Sequence, residues 1–226
     1  MGDTLQGEMD LLDALDWIGL NAKSGGKYTI ALGRDEAITP TELSYGGKTL
    51  TIILKSAGGE HRVSFEGANP SYSLFTVKSG VTFTLEDGVT LRGTQNNAAK
   101  SLVEVTGGRF VMNGGTITGN KRGSYGGSNG GGMCVTSGSF TMNGGEISGN
   151  TAPTGGGVEA HGTFTKSGGG GVIYGSNASD DQVNRASSDT NGHALYYANS
   201  NKKRDTTARA ATAMDSAKDG PAGGWE

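Results

Sequence analysis

Two groups of side chains in this sequence have the types and spacing for chemistry. Asp180 and Asp181 are adjacent and His193 follows Gly192 a short way on. Neighbouring carboxylates are what glycosidic hydrolysis needs, one protonating the leaving oxygen and the other activating water or attacking the sugar. Glu104 and Glu159 recur at matching places in two similar stretches. Carboxylates presented that way could hold Ca²⁺ for an eliminase, given an Arg or Lys base beside them. Whether either set can act depends on the elements that carry it.

Those elements are written in a repeat. Residues 101–120, SLVEVTGGRFVMNGGTITGN, are echoed by 131–150, GGMCVTSGSFTMNGGEISGN, and by 156–175, GGVEAHGTFTKSGGGGVIYG. Residues 73–93 fit the same template with one extra residue. Phe83, Phe110, Phe140 and Phe164 share one position, Val77, Val105, Val135 and Ala160 a second, and Leu91, Ile117, Ile147 and Ile173 a third, at spacings of 24–30 residues. Leu85, Met112 and Met142 form a further column that Lys166 interrupts. Apolar residues alternate over short runs, as strands with one buried face do. Three such runs per copy, parted by Gly-Gly and Asn-Gly-Gly turns, predict an all-β, right-handed single-stranded parallel β-helix whose coils stack about 4.8 Å apart. A left-handed hexapeptide helix would show a six-residue period, which is absent. Asn113 and Asn143 fall at one turn, and Asn120 and Asn150 at another; each pair is either a hydrogen-bonded ladder or two ordinary turn asparagines.

The ends differ from the middle. Residues 5–22 carry Met9, Leu12, Leu15, Trp17, Ile18 and Leu20 among acidic residues, which suits an amphipathic helix N-capped by Asp3 or Thr4. Such a helix would plug the solenoid end and its strand edge. The expected organisation is a capping helix over 1–25, coils over 26–198 (most regular over 73–175), and a C-terminal cap or tail over 199–226, with Trp225 against the final coil. Ala194–Tyr197 is the last strand candidate, and Lys202-Lys203-Arg204, the only basic run, reads as a solvated loop.

Composition agrees and excludes several classes. The chain has 42 glycines and 4 prolines in 226 residues, without a Gly-X-Y period, so it is neither collagen-like nor an ordinary α/β domain. A net charge of −3 with scattered signs lacks the basic stripe of a nucleic-acid binder. Cys134 is the single cysteine, so no internal disulfide can form. No apolar stretch reads as a transmembrane helix or secretion signal, and the chain is expected to be a mature or excised segment. The glycine runs lack a phosphate-loop ending. His61, His161 and His193 occupy unrelated repeat positions, which argues against a zinc site, and no cofactor is expected.

The strings Phe140-Thr-Met-Asn-Gly-Gly-Glu-Ile-Ser-Gly-Asn150 and Gly155-Gly-Gly-Val158, with the helix around Trp17 and the Gly-His-Ala-Leu-Tyr and Gly-Gly-Trp-Glu strings near the end, resemble bacterial surface β-helix repeat proteins of the spirochaete type. Ile147-Ser-Gly-Asn150-Thr-Ala followed by Gly-Gly-Gly-Val is more weakly similar to the repeats of polymorphic autotransporter adhesins, with Ile in place of their Phe. Both resemblances imply an extracellular or cell-surface location and an adhesin-like role, and bring no catalytic residue. Asp180-Asp181 and Gly192-His193 are superficially similar to polygalacturonase motifs. The Asn-Thr-Asp and Arg-Ile-Lys companions are missing, and the motifs sit in the degenerate last stretch.

The outward column beside the valines reads Thr76, Glu104, Cys134, Glu159, and its neighbour Lys78, Thr106, Thr136, His161. Glu104 and Glu159 would lie two coils apart, about 10 Å, too far to share one ion directly. Thr82, Thr84, Thr141 and Thr165 flank the phenylalanines; Arg109 and Val111 interrupt any ice-binding array, leaving solvated β-face threonines. The expected function is a non-enzymatic surface or secreted protein contacting a glycan or cell-surface partner through a flat solenoid face, with Glu104, Glu159, Thr141 and Thr165 as candidate contacts. The alternatives are a polysaccharide lyase or glycoside hydrolase using Asp180, Asp181 and His193, and a structural spacer.

Overall fold

The computed structural model describes residues 3–5, 9–67, 70–97, 100–123, 130–167, 171–187, 191–200, 202–204, 207–208 and 212–213. They form a parallel β-solenoid of about five turns with one α-helix at its start. Each regular coil contributes to three faces. Face A stacks Thr41–Leu43, Phe75–Lys78, the first half of Val103–Met112, the first half of Met133–Met142, Val158–Ala160 and Leu195–Tyr197. Face B stacks Asp3–Leu5, Lys27–Leu32, Leu50–Ser56, Val81–Leu85, the second halves of the two long strands and Thr163–Lys166. Face C runs from Glu36–Ile38 through His61–Phe65, Val89–Arg92, Thr116–Thr118 and Gly145–Ser148 to Gly171–Ile173.

The lumen holds the repeated apolar positions. Phe83, Phe110, Phe140 and Phe164 are in register on face B, their rings tilted with centroids 5.6, 5.6 and 5.3 Å apart, a spacing at which aromatic pairs attract. Ile52 and Tyr28 carry the same column to the N-terminal end, and Phe75 meets Phe83 across the lumen at 5.0 Å. Val77, Val105, Val135 and Ala160 are in register on face A, and Leu91, Ile117, Ile147 and Ile173 on face C, all buried. Lys166 continues the Leu85–Met112–Met142 column instead of leaving it, with its side chain buried.

Stacking explains the glycine content in two ways. Gly115 and Gly145 turn face B into face C at φ of 72° and 81°, a region costly for other residues. Gly144 has no such φ, but a Cβ there would lie 2.0 Å from the carbonyl oxygen of Asn113 one coil below. Beside these corners the asparagines form ladders. Asn143 donates to Asn113 at 2.9 Å and Ser167 to Asn143 at 2.8 Å on the exposed edge. Inside, Asn97, Asn120, Asn150 and Asn184 are buried and linked in series. Asn150 Nδ2 also donates to the carbonyls of Ile117 and Ser148, closing backbone acceptors that the turn leaves open.

The N-terminal helix spans Leu11–Asn21, so it begins later than Asp3 or Thr4. Asp10 is its N-cap, accepting from Asp13 N at 2.9 Å. Asp3–Leu5 is instead a strand paired with Tyr28–Ile30, because an open sheet edge there offers backbone partners. Leu11, Ala14, Leu15 and Ile18 face the core at helical spacing. Of the other apolar residues, Met9 and Leu20 point outward. The helix packs on Lys27–Leu32 and Glu36–Ile38, and Leu11 N donates to Glu36 at 2.7 Å.

At the far end the chain reverses. Lys202–Arg204 pairs antiparallel with Leu195–Tyr197 on face A, Ala208 bridges antiparallel to Ile173 on face C, and Thr212–Ala213 pairs antiparallel with Thr163–Lys166 on face B. A short reversed segment thus meets each terminal strand, which occupies the edge that another solenoid would otherwise extend. The basic run is therefore a strand, with Arg204 buried and bonded to the Thr207 carbonyl, because pairing to the last coil fixes it. Trp225 lies outside the described residues.

Candidate functional surface

The chemical groups noted in the sequence are engaged with partners of their own or lie on different faces. Asp180 is exposed and paired with Arg185 at 2.8 Å, and Asp181 is exposed beside it. His193 accepts at Nδ1 from the backbone N–H of Ala186, so its ring is turned toward its own loop. Thr141 and Thr165 are neighbours on face B, half-buried, whereas Glu104 and Glu159 stand on face A with Cys134 between them in register. Among the described residues no three His, Cys, Asp or Glu side chains gather to hold a metal. No helix among them is long and apolar enough to cross a membrane.

The middle of face A is not the open flat surface expected. Glu104, Cys134 and Glu159 point away from the lumen yet are buried. Lys100 binds both carboxylate oxygens of Glu104, at 3.2 and 3.1 Å, and Thr136 donates to it. Thr154 donates to Glu159, whose other oxygen meets His161 Nε2 at 2.7 Å. Arg122, itself buried, joins them from the loop before Met133–Met142. Burial lowers its pKa, while Cys134, Glu159 and Glu104 act in the opposite direction and favour its charge. A roof of loops thus closes a charge-balanced row. A bulge also moves Thr136 out of the second outward column, so that Thr106 pairs with Ser137.

The start of the same face is different. Thr41–Leu43 pairs only with Phe75–Lys78, leaving its other edge without a strand partner among the described residues. Glu42 and Thr76 occupy the outward register that Glu104 continues, but here they border open hollows. One hollow of about 270 Å³ is lined by Pro40, Thr41, Glu42, Tyr72, Ser73 and Thr76. Tyr72 is 67% exposed, while the Ser73 hydroxyl is buried with no hydrogen-bond partner. A second hollow of about 410 Å³ shares Thr41 and Glu42 and extends past Tyr45 to Asp16 and Leu20 on the helix. Lys78 binds Glu42 at 3.0 Å beside them. The Tyr45 pKa is raised, first by burial and then by Asp16.

A third hollow, of about 240 Å³, lies at the other side of the helix by Arg34 and Glu36. Its acids are engaged, Asp35 with Arg62 at 3.1 Å and Glu36 with Leu11 N.

None of Pro40, Glu42, Tyr72, Lys100 or Arg122 stands out in the repeat, because all but Glu42 sit in connections that carry no period, and Ser73 merely shares its repeat position with the buried Ser101. The one visible signal was an aromatic among small polar residues in Pro70-Ser71-Tyr72-Ser73, outside any alternating run.

Fold and surface together place the chain in the class of parallel β-solenoids. Beyond that class, comparison with protein-family models, curated proteins and solved structures finds no match.

Proposed function

We propose that this chain is a non-catalytic, surface or secreted β-solenoid that binds carbohydrate at the open start of face A. The observation that carries the reading is the hollow in which an exposed Tyr72 ring stands beside Thr41, Glu42 and Thr76. An aromatic face with a few fixed polar groups is how a small concave site holds a ring that is apolar on one side and hydroxylated at its rim. The rigid solenoid fixes the geometry before binding, which reduces the ordering cost. The extracellular setting rests on the resemblance to bacterial surface β-helix repeats.

The enzymatic alternative finds less support, since Asp180 is engaged by Arg185, His193 Nδ1 by the Ala186 N–H, and Glu104 and Glu159 are buried with partners of their own. A glycan array probed with the purified chain tests the reading. Binding that Tyr72→Ala abolishes, with unchanged circular dichroism, is expected. Polysaccharide turnover that Asp181→Ala or Glu104→Ala removes would overturn it.

A further inference from the structure

The two hollows both border Thr41 and Glu42, and the charge and size of their linings restrict what can span them. The geometry points to an oligosaccharide of at least two pyranose rings without anionic groups, neutral or amino-bearing, lying across Tyr72 toward Asp16 and Leu20; this rests on the carbohydrate reading above.

Length comes first. The Tyr72 hollow, at about 270 Å³, is small beside ordinary ligand sites of roughly 300–1,000 Å³. It has room for one ring against the tyrosine. The neighbouring hollow of about 410 Å³ shares two of its lining residues, Thr41 and Glu42, so it is the space adjoining a ring held in the first. Leu20 is 85% exposed there, an apolar side chain that the helix leaves in water. With Tyr45 it offers the second ring an apolar side and a protonated phenol.

Charge sets the class. Glu42 and Asp16 are the ionisable acids lining the groove, and the nearby cation, Lys78, is already bound to Glu42. A uronate or sulfate would face two carboxylates with one neutralised cation, a like-charge juxtaposition that works as rejection. A hydroxyl or ammonium group meets acceptors instead. An extended peptide adding a strand to the same edge is the competing occupant. The edge strand has three residues only, Thr41–Leu43, too short a ladder for main-chain pairing to supply the affinity.

Titration calorimetry with the whole chain tests both parts. The probes are glucose, cellobiose, cellotetraose, a glucosamine tetramer and a galacturonate tetramer. Cellotetraose and the glucosamine tetramer are expected to bind at least about tenfold more tightly than glucose and than the galacturonate tetramer, a difference of about 1.4 kcal/mol. Asp16 and Leu20 are exposed on the helix, so substitution there leaves the fold intact. Leu20→Ala should weaken cellotetraose without changing glucose, and Asp16→Lys should narrow the gap between neutral and acidic tetramers. Equal affinity for glucose and cellotetraose would overturn the two-ring groove. Galacturonate binding as tight as the neutral tetramer would overturn the charge assignment, leaving the carbohydrate reading in place. Silence toward all five probes, with binding of an extended peptide, would remove the carbohydrate reading itself.

Discussion

The start and the middle of face A share a register but not a surface. Glu42 and Thr76 at the start continue directly into Glu104, Cys134 and Glu159, and all five project away from the lumen. In the middle, the loop that precedes each strand folds back over it, and Lys100, Arg122 and Thr154 close the row. At the start, the strand has no partner on its other edge among the described residues, and the helix lines the adjoining hollow. The same outward position is therefore a sealed polar seam in one region and the rim of a groove in the other. The difference teaches that a solenoid's outward column is a set of places, and that the connections decide which of them meet water.

This contrast can be broken experimentally in descending order of effect. The lumen common to both regions sets the largest value: Phe140→Ala removes a ring held between Phe110 and Phe164, and should cost about 3–5 kcal/mol in denaturant unfolding. Next, Arg122→Ala takes a cation out of the sealed seam and leaves Glu104 and Glu159 short of positive charge. A loss of about 3 kcal/mol is expected, read as a lower melting temperature, with glycan affinity unchanged. If Arg122→Ala were as stable as the parent, the seam would be solvated and the contrast with the groove would disappear.

At the groove the order of effects reverses, with little stability at stake and much binding. Ser73→Ala removes a buried hydroxyl that has no partner and no accessible surface, so the chain should be unchanged or more stable by about 1 kcal/mol, with affinity for cellotetraose unchanged. Tyr72→Ala, at a largely exposed site, should alter stability by no more than about 0.5 kcal/mol and yet remove binding. A destabilised Ser73→Ala protein would mean that the hydroxyl serves the fold.

The lumen was legible in the sequence because stacking forces period. A residue such as Ile147 must match Ile117 below and Ile173 above, so the columns can be written down before any coordinates. The choice between ladder and plain turn for Asn120 and Asn150 was not legible, since it depends on side-chain atoms meeting at 3.1 Å across coils. The roof was hidden for another reason. Arg122 and Lys100 come from connections of unequal length, and nothing in their local sequence states where those loops return. The groove was hidden likewise, its rim being made by Tyr72 from one connection and Asp16 from a helix distant in the chain. The helix starts after Asp10 and not after Asp3 or Thr4 because, although all three are acceptable caps locally, the sheet edge at Tyr28 draws Asp3–Leu5 into a strand.

The most direct measurement is a backbone-amide NMR titration of the chain with cellotetraose. Shifts are expected to be confined to 40–45, 72–76 and the last turn of the helix around Gly19 and Leu20. Shifts centred instead on Glu104, Cys134 and Glu159, or along Thr141 and Thr165 on face B, would contradict binding there.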